Sequence, residues 1–228
     1  MPRLTIVGAT GPTGRLVSRA RADSGHPPTV LIRNEGRKAE FEALGARVII
    51  ADAMESAAMH SAMTAAVDDS DTVLNLLGGN PFMDPETWPD LDGVINTTEA
   101  AVEAGFRRCL LVTSVGTGKS WQYVPEDAYI RPILELKTAA EEHLKASGLD
   151  WTIIKPGGLG PPDFHVKRGA PLITENHGVR GLIDREDLAE VIMRVLAAPP
   201  EKVLRRELYA VTDRIELHDG NAVSFQIL

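Results

Sequence analysis

The chain has 228 residues, 43% of them hydrophobic and 25% charged, which is enough to bury a full core as one α/β domain spanning residues 1–228. Its net charge of −8 argues against a polyanion-binding surface, since a nucleic-acid binder needs a basic face. A single cysteine, Cys109, excludes an internal disulfide and a zinc cluster built from thiolates.

The first residues run directly into an apolar strand, Leu4–Val7, without a basic segment followed by a long apolar one. No later stretch has the length of a membrane span, so a soluble cytoplasmic protein with no membrane partner is the expectation. Further short apolar, β-branched runs predict strands at Thr29–Arg33, Arg47–Ile50, Thr72–Leu76, Arg108–Thr113 and Trp151–Lys155. Between them, amphipathic stretches predict helices at Thr13–Ser24, Glu35–Leu44, Glu55–Val67, Leu91–Ala104 and Pro132–Ser147. Pro132 suits a first helical turn, where its missing N–H is not needed, and Gly105 and Gly148 suit helix ends. Asp184–Leu196 reads as a further helix capped by Asp184. At the end, Ile215–His218 and Ala222–Ile227 flank Asp219-Gly220-Asn221, the pattern of a β-hairpin. Strand–helix alternation with these lengths predicts a doubly wound, mostly parallel Rossmann sheet with helices on both faces. The substrate pocket then has to come from loops and the C-terminal third.

Gly8, Gly11 and Gly14 follow the first strand and open a helix. In that context Gly8 makes the tight turn, Gly11 admits a pyrophosphate close to the backbone, and Gly14 lets helix pack on strand. The spacing is G-x-x-G-x-x-G rather than G-x-G-x-x-G. After the second strand stand Arg33 and Asn34, not the acidic residue that binds a free ribose hydroxyl, with Arg37 and Lys38 close behind. A guanidinium there fits a 2′-phosphate, so the expected cofactor is NADP(H).

These residues resemble the NAD(P)H-binding, NmrA-like group of atypical short-chain dehydrogenases/reductases, which includes flavin and bilin reductases. The matching features are Gly8-Ala-Thr-Gly-x-Thr-Gly14, Val30-Leu-Ile-Arg33, Leu76-Leu-Gly78, Thr113-Ser114, the run from Ser147 to Gly157, and Arg185-Glu-Asp-Leu-Ala189. The resemblance implies that Thr10 and Thr13 line the diphosphate and that Asp52 lies beside the adenine. It places Leu77 and Gly78 at the adenosine half and Pro156 and Gly157 by the nicotinamide.

Ordinary members of the superfamily use a Tyr-x-x-x-Lys pair, in which the lysine lowers the pKa of a tyrosine acid. Tyr123, Tyr129 and Tyr209 have no lysine four residues on. Ser114 occupies the family's serine position, and Lys137 lies on the following helix. A conjugated acceptor needs no placed phenol, because it spreads the incoming charge. The sequence therefore points to an NADPH-dependent reductase of a flavin-, quinone- or bilin-type small molecule, with Ser114 and Lys137 acting on it. Tyr129, just ahead of the Pro132 helix, is a further candidate donor. A non-catalytic NADP(H) sensor is the rival reading, and a monomer or small homo-oligomer is expected.

Gly116-Thr117-Gly118-Lys119-Ser120 lacks the first glycine and the following helix of an ATP-binding P-loop, and reads as a flexible loop beside the pocket. The histidines show no metal-ligand spacing, so no metal is expected. Trp88, Trp121 and Phe164 are read either as covers for a planar ligand or as hydrophobic anchors of their loops.

Overall fold

In a computed structural model, which describes residues 3–69, 71–79, 82, 84–160 and 170–218, the chain alternates strands and helices much as its apolar runs require. The first half is β1 (Leu4–Val7), α1 (Pro12–Asp23), β2 (Thr29–Ile32), α2 (Lys38–Glu42), β3 (Arg47–Ile50), α3 (Ser56–Ala66), β4 (Thr72–Asn75) and α4 (Asp92–Ala104). There follow β5 (Arg108–Val112), α5 (Arg131–Ala146), β6 (Asp150–Pro156), β7 (Leu172–Thr174) and β8 (Val179–Leu182). The described residues end with α6 (Arg185–Ala197), α7 (Pro200–Val203), β9 (Arg206–Val211) and β10 (Asp213–Leu217).

Eight strands form one sheet in the order β3-β2-β1-β4-β5-β6-β9-β7, with every pair parallel except β9 with β7. Two apolar layers cover its faces. On one side Val17 of α1, Phe41 of α2 and Leu188, Ile192 and Val195 of α6 pack over Ile6, Leu74 and Leu110. On the other, Met59 and Met63 of α3, Val94 of α4 and Leu144 of α5 pack over Val7, Val73, Leu111 and Ile153. Burial on both faces is why β2, β4 and β5 read as unbroken apolar runs. Each such side chain contributes about 1.5–3 kcal/mol when fully buried.

The capping signals hold. Gly105 ends α4 in the left-handed region at φ 88°, Pro132 lies in the first turn of α5, and the Asp184 carboxylate accepts the Glu186 N–H at 3.0 Å.

Two readings of the sequence need correction. The helix expected over Glu35–Leu44 is a 3-10 turn, Glu35–Arg37, followed by the short α2, because the Asn34 side chain accepts the Gly36 N–H at 2.8 Å and starts a turn instead. The strands β7, β8 and β9 were all unforeseen, and β9 sits between β6 and β7 in the main sheet. The strand β10, which covers Ile215–Leu217 of the expected hairpin, pairs antiparallel with β8 in a separate two-stranded sheet. The second half of that expected hairpin, with its turn, lies outside the described residues, as does Phe164.

The order 3-2-1-4-5-6 puts the chain's switch of direction between β1 and β4. Ligand crevices of open parallel sheets form there, beyond the carboxyl ends of the strands.

Candidate dinucleotide and acceptor site

The turn after β1 is built so that backbone, not side chain, faces the crevice. Gly8 has φ +82°, and a Cβ on it would stand 2.8 Å from the Leu76 carbonyl. A Cβ on Gly14 would stand 2.5 Å from the Gly8 carbonyl oxygen and 2.7 Å from the Ala9 Cα, so α1 meets its strand with no room for a methyl group. The Gly11 N–H donates to the Gly8 carbonyl at 3.2 Å. Gly11 caps α1 with no side-chain hydrogen bond, and the first turn holds no acidic residue. The amides of that turn, backed by the helix dipole, are thus available to an anion. Thr10 and Thr13 flank them, half-buried. The cradle fits the diphosphate of a dinucleotide.

Arg33 follows β2 with its side chain 75% exposed, and its Nη1 is 3.8 Å from Asp52 Oδ2, an exposed pair of little energetic weight. Asp52 Oδ1 accepts the Met54 N–H at 3.0 Å, which fixes the carboxylate at the end of β3. Beside them a cleft of about 310 Å³ is lined by Thr10, Arg15, Arg33, Asn34 and Arg37. Three guanidinium groups around so small a space suit a phosphate dianion. Arg15 was not foreseen. Its Nε is 2.7 Å from Glu40 Oε1, and the Arg37 Nε is 3.2 Å from Glu40 Oε2, so one carboxylate braces both.

Beyond β4, the Leu77 N–H donates to the buried Asn75 Oδ1 at 3.0 Å, and the Leu77 side chain points inward against Gly93. Gly78 is exposed at the crevice, and a Cβ there would lie 3.4 Å from Lys137 Nζ. Lys137 Nζ is 2.6 Å from Asp90 Oδ1, while Asp90 Oδ2 accepts the Gly79 N–H at 2.6 Å. Asp90, wholly buried and unmarked by any sequence signal, therefore fixes Lys137 against the Gly78 loop. Four residues before Lys137, where the superfamily's tyrosine would stand, is the buried Ile133.

Ser114 lies half-buried just past β5, in a loop that packs on α5 around Lys137. The Gly118 N–H donates to Thr138 Oγ1 at 3.1 Å, and Gly116 abuts Leu134. Ser114 and Lys137 thus come from packed neighbours. Tyr129 is 67% exposed, its ring stacked on Phe82 at 5.5 Å between centroids. Pro156 and Gly157 sit at the end of β6, where the Pro156 carbonyl accepts the Val115 N–H at 2.9 Å. Gly157 has a second reason to be glycine, since a Cβ there would meet the Gly181 carbonyl at 2.5 Å. Trp88 is a loop anchor, packed where Gly79 leaves space, and Trp121 carries the Arg131 guanidinium 4.2 Å above its ring.

The stretch 116–120, read as flexible, is tied down. Thr117 and Ser120 are buried, and the Gly116 N–H donates to Ser120 Oγ at 3.0 Å. Beneath it lies an ion network that the sequence did not reveal. Lys155 Nζ, with no exposure, is 2.8 Å from Glu141 Oε2 and 2.7 Å from Glu207 Oε2, and Lys145 Nζ is 2.7 Å from Glu207 Oε1. Burial alone would pull Lys155 down; Glu141, Tyr209 and Glu207 outweigh it and hold its pKa above the ordinary lysine value. Glu207 moves the opposite way, because Lys155 and Lys145 overcome the cost of burial and lower it. Among the described residues no group of three or more His, Cys, Asp or Glu could hold a metal ion, and no helix is long and apolar enough to cross a membrane.

A glycine cradle at the head of α1, at the switch point of a parallel sheet, defines a Rossmann dinucleotide-binding protein. Residues 8–199 match the NAD(P)H-binding family model, and the chain belongs to that family, with the atypical, NmrA-like short-chain dehydrogenase/reductase fold. It is 30% identical over 215 residues to YhfK of Bacillus subtilis (strain 168), described as an uncharacterized sugar epimerase, covering 92% of this chain and 94% of YhfK. Phenylcoumaran benzylic ether reductase PT1 of Pinus taeda is 24% identical over 161 residues, 67% of this chain and 47% of that protein. Among solved structures, the anaerobilin reductase ChuY of Escherichia coli O157:H7 superposes with a TM-score of 0.81 at 25% identity, covering 94% of this chain and 98% of ChuY.

Proposed function

We propose that this protein is an NADPH-dependent reductase of a planar conjugated small molecule of flavin, quinone or bilin type. The observation that carries the reading is the buried Ile133 in place of a tyrosine, beside a lysine held by Asp90. Reduction of a simple ketone leaves an alkoxide that needs a placed acid; a conjugated acceptor delocalises the charge and can take its proton later or from an ammonium. The same absence argues against the epimerase activity named for YhfK. The bilin reductase activity named for ChuY supports the reading.

The amides of the Gly8–Gly14 turn and the α1 N-terminus would hold the diphosphate, with Thr10 and Thr13 beside it. Arg15, Arg33 and Arg37 would hold the 2′-phosphate, with Asp52 by the adenine, Leu77 and Gly78 along the adenosine half, and Pro156 and Gly157 by the nicotinamide. When bound, the reduced cofactor supplies a hydride. Lys137, oriented by Asp90, donates a hydrogen bond or proton to the acceptor atom that gains charge, and the Ser114 hydroxyl orients it. Tyr129, exposed and stacked on Phe82, is at most an auxiliary donor.

The test is oxidation of NADPH, with NADH as control, against FMN, FAD, menadione, biliverdin and a simple ketone. Turnover of a conjugated acceptor with NADPH is expected. Faster turnover of the ketone refutes the reading, and tight NADPH binding without any turnover replaces it with a sensor.

A further inference from the structure

A buried ion pair is costly to assemble, and apolar residues of the same shape often do as well or better for stability. The pair Lys155–Glu141 is wholly buried, yet one of its oxygens is spent on a loop. Glu141 Oε1 accepts from Thr113 Oγ1 at 2.6 Å and from Thr117 Oγ1 at 2.5 Å, while Oε2 takes Lys155. These two threonines bracket Ser114. The Thr117 hydroxyl oxygen also lies 2.8 Å from the Ser114 carbonyl, and the Thr117 N–H points at the same carbonyl at 3.4 Å.

From the other side, the main chain of this turn is fixed to β6. The Thr113 N–H donates to the Ile154 carbonyl at 2.9 Å, and the Val115 N–H to the Pro156 carbonyl at 2.9 Å. Gly118 permits the approach, because a Cβ on it would lie 3.1 Å from Lys155 Nζ and 3.3 Å from Glu141 Oε2. Lys155 Nζ lies 3.4 Å from the Thr117 carbonyl as well. The carboxylate and ammonium thus organise one turn around Ser114. The main chain around Ser114 is held on both sides, and Ser114 itself is half-buried.

We infer that Thr117, held by the buried Glu141–Lys155 pair, is a positioning residue that sets where the Ser114 hydroxyl stands in the acceptor site. The inference rests on the proposed role of Ser114. Hydroxyl placement matters because an error of about 1 Å at a reacting group costs on the order of 100-fold in rate.

A double-mutant cycle separates the two claims. Ser114→Ala is expected to lower kcat with the best acceptor by on the order of 100-fold. Thr117→Val, which keeps shape and removes the hydroxyl, is expected to lower kcat about 10-fold with the KM for NADPH unchanged, and Thr117→Ser to restore it. In the double variant Thr117→Val adds less than about 2-fold to Ser114→Ala. Amide exchange at residues 116–120 is expected to quicken in Thr117→Val and not in Ser114→Ala. A wild-type rate for Ser114→Ala overturns the reading of Ser114 and the inference with it. A slowed Ser114→Ala combined with a fully additive double variant, or with unchanged exchange in Thr117→Val, overturns the inference alone.

Discussion

Adding one methyl group at each glycine of the cradle separates what the fold needs from what the cofactor needs. At Gly14 the new Cβ would meet the Gly8 carbonyl oxygen at 2.5 Å and the Ala9 Cα at 2.7 Å, all backbone that cannot turn aside. Overpacking of this kind costs about 1–3 kcal/mol, and Gly14→Ala is expected to destabilise the whole protein. Gly11 is different. Its φ of −66° suits any residue, and a Cβ there would meet only the Gly8 carbonyl oxygen, at 3.4 Å. Replacing an N-cap glycine by alanine costs about 1 kcal/mol at most, or roughly 2–4 °C in Tm for a chain of this size. Yet a methyl at Gly11 would occupy the surface on which the proposed site lays the diphosphate. Gly11→Ala should therefore keep its far-UV spectrum and nearly its Tm while losing about 100-fold in NADPH affinity, some 2.7 kcal/mol. Fluorescence titration with NADPH, beside a thermal melt, reads both quantities. Wild-type affinity in folded Gly11→Ala would refute the placement of the diphosphate.

Arg33→Ala should weaken NADPH binding by about 1.5–3 kcal/mol and leave NADH nearly unchanged; equal losses in the two titrations would make Arg33 structural. Lys155→Met leaves the buried Glu141 without a cation, while Glu207 keeps Lys145, and should cost about 3–5 kcal/mol in chemical denaturation, whereas a surface pair such as Arg33–Asp52 should cost under about 1 kcal/mol. The raised pKa of Lys155 contributes stability that is complete below the ordinary lysine value, about 10.4, and is lost as pH climbs through the higher folded value. The lowered pKa of Glu207 contributes stability that is present above about 4.3 and is lost as pH falls through the lower folded value. Tm against pH should accordingly be flat from about 5 to 8, above which ionisation of Cys109 in the unfolded chain begins to lower it, and a fall centred near neutrality would contradict this assignment. Burial pushes the Cys109 thiol up to about 12, so iodoacetamide should label it only as fast as the protein unfolds; rapid labelling of native protein at mildly alkaline pH would disprove its burial.

The central strands β1, β2, β4 and β5 were legible because they are covered on both faces and left nearly unbroken apolar runs. β9 escaped notice for the converse reason. It begins with Arg206 and Glu207, and these charges are admissible in a sheet only because Glu175, Lys155 and Lys145 pair with them from elsewhere in the chain. The glycine turn was readable because steric demands on backbone are local. Lys137 could be placed from its helix, but its partner Asp90 could not, since the contact joins residues on a loop and a helix far apart in sequence. Arg15 was hidden among ordinary polar residues of α1 until Glu40 of α2 turned it towards the cleft. The buried network had one available signal. A lysine inside the apolar run Trp151–Pro156 demands a charged partner, and that demand points to a buried carboxylate without saying which.

Calorimetric titration of the wild-type protein with NADPH and then with NADH tests the account most directly. Tight NADPH binding, at least about 10-fold stronger than that of NADH, is the expected result, because only the former brings a 2′-phosphate to Arg15, Arg33 and Arg37. Equal affinities, or a preference for NADH, would contradict the assignment of that cleft.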